Sequence, residues 1–300
     1  MIIGTRGSAL AKTQTEWVRR FLERRLDSPI NIRVISTQGD RITDRPLREL
    51  EGSGYFTKEI EQALLDCRID VAVHSYKDMP SQAPEGLALA AVSAREDAAD
   101  LLIMNRSAVT LPADDFFLKP GALVGTSAVR REAQLKAHRP DLHTKDLRGN
   151  VPTRFTKLHN GEYDAILLAS AGVRRLSIDL SEFQVERLSP SVFVPAPGQG
   201  ALAIQMRADD DRLLMVKESL QNDETFAATT LEREVQALFG GGCGLPLGVY
   251  ASFNKTVWVM EGFWFSPQTG PVRATVRGAK LDTLAHDLFT ELTPSCLTEC

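Results

Sequence analysis

Three hundred residues are more than one compact core usually organises, so two or three domains are expected. A hydrophobic share of 43% is ordinary for a globular chain, and no apolar run approaches the length of a membrane span. A formal net charge of −4 gives no general reason to expect a nucleic-acid partner, and neither a nucleic acid nor a membrane is expected to bind. The start, Met1-Ile2-Ile3-Gly4-Thr5-Arg6, lacks the pattern of a secretory signal, so the cytoplasm is the expected compartment.

Along the chain, Leu10, Trp17, Val18, Phe21, Leu22 and Leu26 recur at helical spacing, and a strand is expected around 32–36. Residues 41–54 are charged, contain Pro46 and close on Gly52-Ser53-Gly54, the composition of a mobile loop. A helix over 57–67 places Cys67 on an apolar face with Ile60, Ala63 and Leu64, which predicts a core thiol. Val71-Ala72-Val73 reads as a short buried strand running into the loop His74-Ser75-Tyr76-Lys77-Asp78-Met79-Pro80.

After Arg95-Glu96-Asp97 a second α/β unit repeats one pattern: a strand, a small polar cap, then arginines in or near the first helical turn. Leu123-Val124-Gly125 leads to Thr126-Ser127 and Arg130-Arg131. A strand near Leu147 leads to Arg148, to Asn150 as cap with Pro152 in the first turn, and to Arg154. Ile166-Leu167-Leu168 leads to Ser170 and Arg174-Arg175. Pro195-Ala196-Pro197-Gly198-Gln199-Gly200 precedes an apolar strand. A helix with Phe226, Leu231, Val235 and Leu238 then ends at Gly240-Gly241-Gly242. Strands around 249–252, 257–265 and 272–276 and a helix over 281–292 predict a small α/β domain with a mainly antiparallel sheet.

Ligands of open α/β sheets bind beyond the carboxyl ends of strands, where helix N-termini present free amides. Arg6, Arg130, Arg131, Arg148, Arg154 and Arg175 fall in or near such positions, which predicts a cleft for a ligand with several negative charges. Spacing does not separate carboxylates from phosphates, although no Walker-type glycine loop favours a nucleotide. Asp78 follows Lys77 in the turn after a buried strand, where a carboxylate can assist a leaving group or stabilise a cation.

Cys243, flanked by glycines in Gly240-Gly241-Gly242-Cys243-Gly244, reads as an accessible thiol, suited equally to nucleophilic catalysis and to covalent attachment. His74 is the one histidine placed in a comparable loop, which gives a Cys–His pair little support. Cys296 and Cys300 have no further ligands near them, so no metal site is expected.

Taken in order, several stretches resemble the hydroxymethylbilane synthase (porphobilinogen deaminase) family over nearly the whole chain. They are Thr5-Arg6-Gly7-Ser8-Ala9-Leu10-Ala11, Thr37-Gln38-Gly39-Asp40, Phe56-Thr57-Lys58-Glu59-Ile60-Glu61, His74 to Pro80, Gly125 to Arg131, Leu147-Arg148-Gly149-Asn150-Val151, Gly161-Glu162-Tyr163-Asp164-Ala165, Pro197-Gly198-Gln199-Gly200-Ala201 and Gly241-Gly242-Cys243. The resemblance implies two α/β lobes like those of type II periplasmic binding proteins, plus a small third domain that carries the cofactor cysteine. The implied limits are 1–94 with 193–214, then 95–192, then 215–300.

The resemblance also implies a transferase that condenses four porphobilinogen molecules head to tail, releases ammonia, and frees linear hydroxymethylbilane by hydrolysis. A dipyrromethane cofactor would be held covalently by Cys243, one per chain, in a monomer. By motif match, Asp78 is the catalytic carboxylate, assisting departure of ammonia and stabilising the cations that follow. Lys77, Thr126, Ser127, Arg130 and Arg131 would bind the cofactor, and Arg6, Ser8, Arg148, Arg154 and Arg175 the incoming substrate or growing chain. The segment 41–54 would be a lid that excludes water.

Three positions depart from the family pattern: Ser53 stands where a lysine is usual, Ala128 where a serine is common, and Pro152 where a glycine is frequent. The lost lysine is one contact that Arg41, Arg45 or Arg48 could replace, and Pro152 is benign in a first turn. Rival readings are a non-catalytic anion-binding protein of the same two-lobed fold, an inactive paralogue, and a cysteine hydrolase with a histidine beside Cys243. The first gives no role to Cys243 or the third domain.

Overall fold

The protein is described by a computed structural model covering residues 1–26, 29–41, 54–80, 82–110, 116–242 and 244–294. Residues 42–53 of the expected lid, with Arg45, Arg48 and Ser53, lie outside the described residues, as do Cys243, Cys296 and Cys300.

The first sheet is built from β1 (Ile2–Thr5), β2 (Asn31–Val34), β3 (Val71–Ser75), β4 (Leu87–Val92) and β10 (Leu202–Arg207), in the order β2-β1-β3-β10-β4. β1 runs parallel to β2 and β3, whereas β10 is antiparallel to β3 and β4. Val71 to His74 are buried without interruption, as strands covered on both faces require. One face is covered by α1 (Ala9–Glu23), whose Val18 and Leu22 pack on Ile3, Val71, Val73 and Ile204. Each such fully buried side chain stabilises the fold by about 1.5–3 kcal/mol. Trp17 and Phe21 share the helical spacing but lie at the surface, 37% and 39% exposed, and stack on each other with ring centres 4.4 Å apart. After the single turn α2 (Gln38–Arg41), the other face is covered by α3 (Lys58–Leu65) through Ile60, Ala63 and Leu64.

The expected core thiol is corrected here. α3 ends at Leu65, and Cys67 follows with φ 54° and is exposed. The helical periodicity that placed it on the apolar face stops before it is reached.

The second lobe holds β5 (Asp100–Met104), β6 (Leu123–Gly125), α4 (Val129–His138), β7 (His143–Lys145), α5 (Val151–His159), β8 (Ala165–Ala169), α6 (Ser170–Arg175) and β9 (Gln184–Leu188). Its order, β7-β6-β8-β5-β9, repeats that of the first sheet, with β5 antiparallel to both neighbours in the place that β10 takes there. Two like mixed sheets joined by two chain crossings are the architecture of type II periplasmic-binding-protein lobes, and the fold expectation holds.

α7 (Leu213–Leu220) packs Val216 and Leu220 into the first core, so that core draws on residues beyond 214. The third body comprises α8 (Asp223–Leu238), the antiparallel meander β11 (Leu247–Phe253), β12 (Trp258–Ser266) and β13 (Gly270–Gly278), and α9 (Leu284–Leu292). Its core gathers Leu231, Val235, Val249, Met260 and Leu288. No helix among the described residues is long and apolar enough to cross a membrane.

Candidate active site

Because β1 and β3 are parallel, Arg6 and Ser8 leave the first sheet at the same edge as the turn Tyr76–Asp78. In the second lobe β6, β7 and β8 are parallel, so Thr126, Ser127, Arg148 and the start of α6 also share one edge. The sequence patterns thus become two facing rims.

Tyr76 is buried and anchors a single 3-10 turn, while Lys77 and Asp78 are half-buried on its open side. Lys77 Nζ donates to Gln199 Oε1 at 3.2 Å. Burial lowers its pKa to about 8; nearby Arg131 pushes the same way, and Asp78 opposes. The Asp78 carboxylate accepts no hydrogen bond among the described residues, yet its charge bears on both Lys77 and Arg154. A carboxylate of one lobe therefore lies near enough to act on Arg154 of the other. His74, expected in the loop, is instead the penultimate residue of β3, opposite Ala203, and is buried. Burial lowers its pKa to about 4, so it is neutral at pH 7.

Arg130 and Arg131 lie in the first turn of α4, as expected, but only 4% and 6% exposed. They share the fully buried Asp100: Arg130 Nη2 donates to Oδ2 at 2.8 Å and Arg131 Nη2 to Oδ1 at 2.7 Å. Arg130 also donates to the Val194 carbonyl at 2.5 Å and Arg131 to the Leu167 carbonyl at 3.0 Å. Burial alone would raise the Asp100 pKa, but the two guanidinium groups hold it well below the usual carboxylate range. Arg131 Nε is buried and lacks a partner among the described residues, so one donor of this pair is left for an anion. Thr126 is buried, its hydroxyl accepting from the Ala128 amide at 3.2 Å. Ser127 Oγ donates to the Leu147 carbonyl at 2.9 Å and accepts from the Leu147 amide at 3.0 Å, which ties the rim of β6 to that of β7. Ala128 sits at the N-cap of α4 and supplies no side-chain cap.

Arg148 and Arg154 join Arg131 in one cationic group. Arg154 donates from Nε to the Gly149 carbonyl at 2.9 Å, and its pKa falls to about 10 through burial first and then repulsion from Arg131 and Arg148. Asn150 caps α5 by accepting from the Thr153 amide at 3.0 Å, with Pro152 in the first turn, as the sequence indicates. Arg175 differs from expectation. α6 is only six residues long, and Arg175 is its last, donating to the Gly200 carbonyl at 2.7 Å in the crossing between lobes. Burial lowers its pKa to about 10, while Glu96 opposes.

Arg6 is clamped by Asp40, Nη2 to Oδ1 at 2.5 Å, and its guanidinium lies 4.0 Å from the centre of the Phe56 ring. Ser8 is the N-cap of α1, accepting from the Ala11 amide at 3.2 Å. Its side chain therefore sets the helix start that follows Arg6.

Sequence reasoning missed the groups that hold these cations: Asp40, Asp100 and Gln199. Gln199 links Lys77 to Asp100 Oδ1 (2.8 Å) and to the Ala98 carbonyl (2.7 Å). The signal available was the glycine-proline run around it. Gly200 has φ +93°, and a Cβ there would lie 2.3 Å from the Glu96 carbonyl oxygen. Also missed was Glu232 on α8, buried and accepting from the Arg95 guanidinium (2.6 and 3.1 Å), the Gly198 amide (2.7 Å) and the Ala251 amide (2.8 Å).

Fold and site together define a two-lobed α/β protein with a cation-rich cleft between the lobes and a third body pinned to both crossings. Residues 1–215 match the family model "Porphobilinogen deaminase, dipyromethane cofactor binding domain". The chain is 41% identical over 292 residues to a porphobilinogen deaminase of Streptococcus sanguinis, covering 97% of this chain and 94% of that one. It is 43% identical to that of Deinococcus radiodurans (92% and 89% covered) and 49% identical to a probable porphobilinogen deaminase of Methanocella arvoryzae (84% and 80% covered). Among solved structures, a periplasmic substrate-binding protein of an ABC transporter from Coxiella burnetii aligns with a TM-score of 0.46 at 13% identity, covering 80% of this chain and 97% of that one. The chain belongs to the porphobilinogen deaminase family, whose cofactor is dipyrromethane.

Proposed function

We propose that this chain is a hydroxymethylbilane synthase, joining porphobilinogen units head to tail on a dipyrromethane held by Cys243 and releasing linear hydroxymethylbilane. One observation carries the reading: Asp78 of the first lobe, without a hydrogen-bond partner among the described residues, lies near enough to act on Arg154 of the second, in a cleft whose cations also include Lys77, Arg131 and Arg148. Porphobilinogen and its oligomers carry acetate and propionate groups, the ligands such a cleft fits.

The residues present suit the cofactor as well, since the buried Arg131 Nε lacks a partner among the described residues and Lys77, on the other lobe, is a nearby ammonium. Lys77, Thr126, Ser127, Arg130 and Arg131 would hold the cofactor. Arg130 does so chiefly by keeping Asp100 engaged, which leaves Arg131 an unused donor. When bound, the dipyrromethane supplies the pyrrole carbon to which a substrate unit is joined. Arg6, Ser8, Arg148, Arg154 and Arg175 would hold substrate or the growing chain, with Arg175 acting from the crossing between lobes.

Asp78 would accept a pyrrole N–H and stabilise the positive charge that builds as the aminomethyl C–N bond breaks and nitrogen leaves as ammonia. Its half-buried position keeps it close to the cations that orient carboxylates. The same reading makes residues 1–94 with 193–214, 95–192 and 215–300 the domains of a monomeric cytoplasmic transferase, and what supports the division is that each body has buried clusters of its own, with Phe193, Val216 and Leu220 packing across the limits.

The test is the intact mass of the purified protein beside a Cys243→Ala variant. The expected result is an excess of two porphobilinogen units less two ammonias in the wild type, absent in the variant, with further single-unit steps after substrate is added. A wild type that neither carries the excess nor acquires it on incubation with porphobilinogen would refute the assignment and leave an anion-binding protein or an inactive paralogue.

A further inference from the structure

α8 ends at Leu238, five positions before Cys243, and one face of its last turns touches both the turn that carries Asp78 and the glycine segment that leads to Cys243. Arg233 reaches back to the turn that carries Asp78. Its Nη1 donates to the Tyr76 and Met79 carbonyls at 3.5 and 3.3 Å, and its Nη2 donates to the Pro80 carbonyl. The guanidinium also lies 4.7 Å from the centre of the Tyr76 ring. One cation thus brackets Lys77 and Asp78 from behind through the backbone on either side of them.

One helical step on, at the i+3 position of the same face, the buried Gln236 donates from Nε2 to the Gly242 carbonyl at 3.2 Å. Its own carbonyl accepts from the Gly241 amide at 2.9 Å. Gly240, Gly241 and Gly242 all have positive φ, so this loop has little conformational preference of its own and takes its course from what holds it. Glu232, the neighbour of Arg233, fixes the helix itself by accepting from Arg95, Gly198 and Ala251, groups on both crossings and on the third sheet.

We infer that Arg233 and Gln236 are a pair of positioning residues that hold the Asp78 turn and the Gly240–Gly242 segment leading to Cys243 at a set separation along α8. The inference rests on the reading that Cys243 carries the cofactor. A flexible primer tethered at a glycine loop reaches a fixed carboxylate only if tether and carboxylate share a rigid frame, and geometric misplacement of about 1 Å can cost on the order of a hundredfold in rate. α8 is that frame, with Arg233 gripping one end of the span and Gln236 the other. The separation matters most for the first addition, when the primer is shortest. Its loosening affects turnover rather than the arginine contacts that bind substrate carboxylates.

The experiment compares holoprotein of wild type, Arg233→Met, Gln236→Met and, as a control on another face of α8, Glu234→Gln. Each is checked by intact mass for the attached primer before kinetics. The expected result for the Arg233 and Gln236 variants is a normal primer mass, kcat lowered at least tenfold with KM changed less than threefold, and protein that accumulates without the first added unit. Arg233→Lys should recover part of the rate, and Glu234→Gln should match wild type.

Primer-loaded Arg233→Met with kcat within twofold of wild type, or a uniform fall in the yield of active protein with unchanged kcat per primer, would overturn the inference. If Arg233→Met does not fold, Gln236→Met decides the matter on the same criteria. A wild type without any primer mass would instead sink the reading of Cys243, a separate outcome.

Discussion

Replacing Asp100 with asparagine probes the centre of the cleft. Asp100 is fully buried and accepts from Arg130 (2.8 Å), Arg131 (2.7 Å) and Gln199 (2.8 Å). Asparagine keeps the volume, but either orientation of its amide sets an NH2 group against a guanidinium donor at hydrogen-bond distance. Two buried cations also lose their counter-charge. Breaking a buried ion pair from one side costs about 3–5 kcal/mol, against a typical total stability of about 5–15 kcal/mol. The lower end applies, because Val194 and Leu167 carbonyls still accept from the two arginines. At about 2–4 °C per kcal/mol, the melting temperature should fall by roughly 6–12 °C, read by calorimetry on matched primer-loaded protein.

The sign of the pH dependence follows from the same contacts. The folded-state pKa of Asp100 is held below its unfolded value, so its contribution is complete above the ordinary carboxylate range and is lost as pH falls. The gap between wild type and Asp100→Asn should therefore narrow progressively below about pH 4. A variant melting within about 2 °C of wild type at pH 7, or a gap that persists unchanged into acid, would refute the view that one carboxylate neutralises both arginines.

Asp78→Asn keeps the shape of the turn but removes the charge, and kcat should drop by about a hundred- to a thousandfold with melting temperature and substrate KM little changed. Ammonia release in a single turnover measures it, and a drop of less than tenfold would exclude the electrostatic role. Lys77, with a folded pKa of about 8 against an ordinary 10.5, is a full ammonium only below that pH in the ligand-free protein. Its stability contribution is accordingly present above the unfolded value and lost as pH falls through about 8. Carboxylate binding moves the opposite way, weakening as pH rises from 7 to about 9, and Lys77→Gln should flatten that dependence in an isothermal titration with porphobilinogen. Gly200→Ala should lower the melting temperature and the yield of folded protein, since its Cβ would lie 2.3 Å from the Glu96 carbonyl oxygen at φ +93°. The backbone strain alone is worth about 1–3 kcal/mol, and a variant as stable as wild type would show that this crossing can shift freely.

By itself the sequence determined what local rules control. The strand, cap and arginine pattern placed Arg130 and Arg131 in the first turn of α4, Asn150 with Pro152 at the start of α5, and an antiparallel meander after α8. Periodicity and capping act over a few residues, so they can be read without a fold. The same rules misplaced Cys67 by carrying a helix two residues past its end, and put His74 in a loop although it lies within β3. The tertiary structure alone decided who partners whom. Asp100 reads as an unremarked strand residue until packing brings it under two arginines some thirty positions away, and Gln199 joins three segments only where both crossings meet. Arg175 was read as lying in or near a first turn, but it is the sixth and last residue of α6, where its guanidinium meets the Gly200 carbonyl. Such pairings depend on how two lobes and a third body settle against one another, and chain spacing carries no record of that distance.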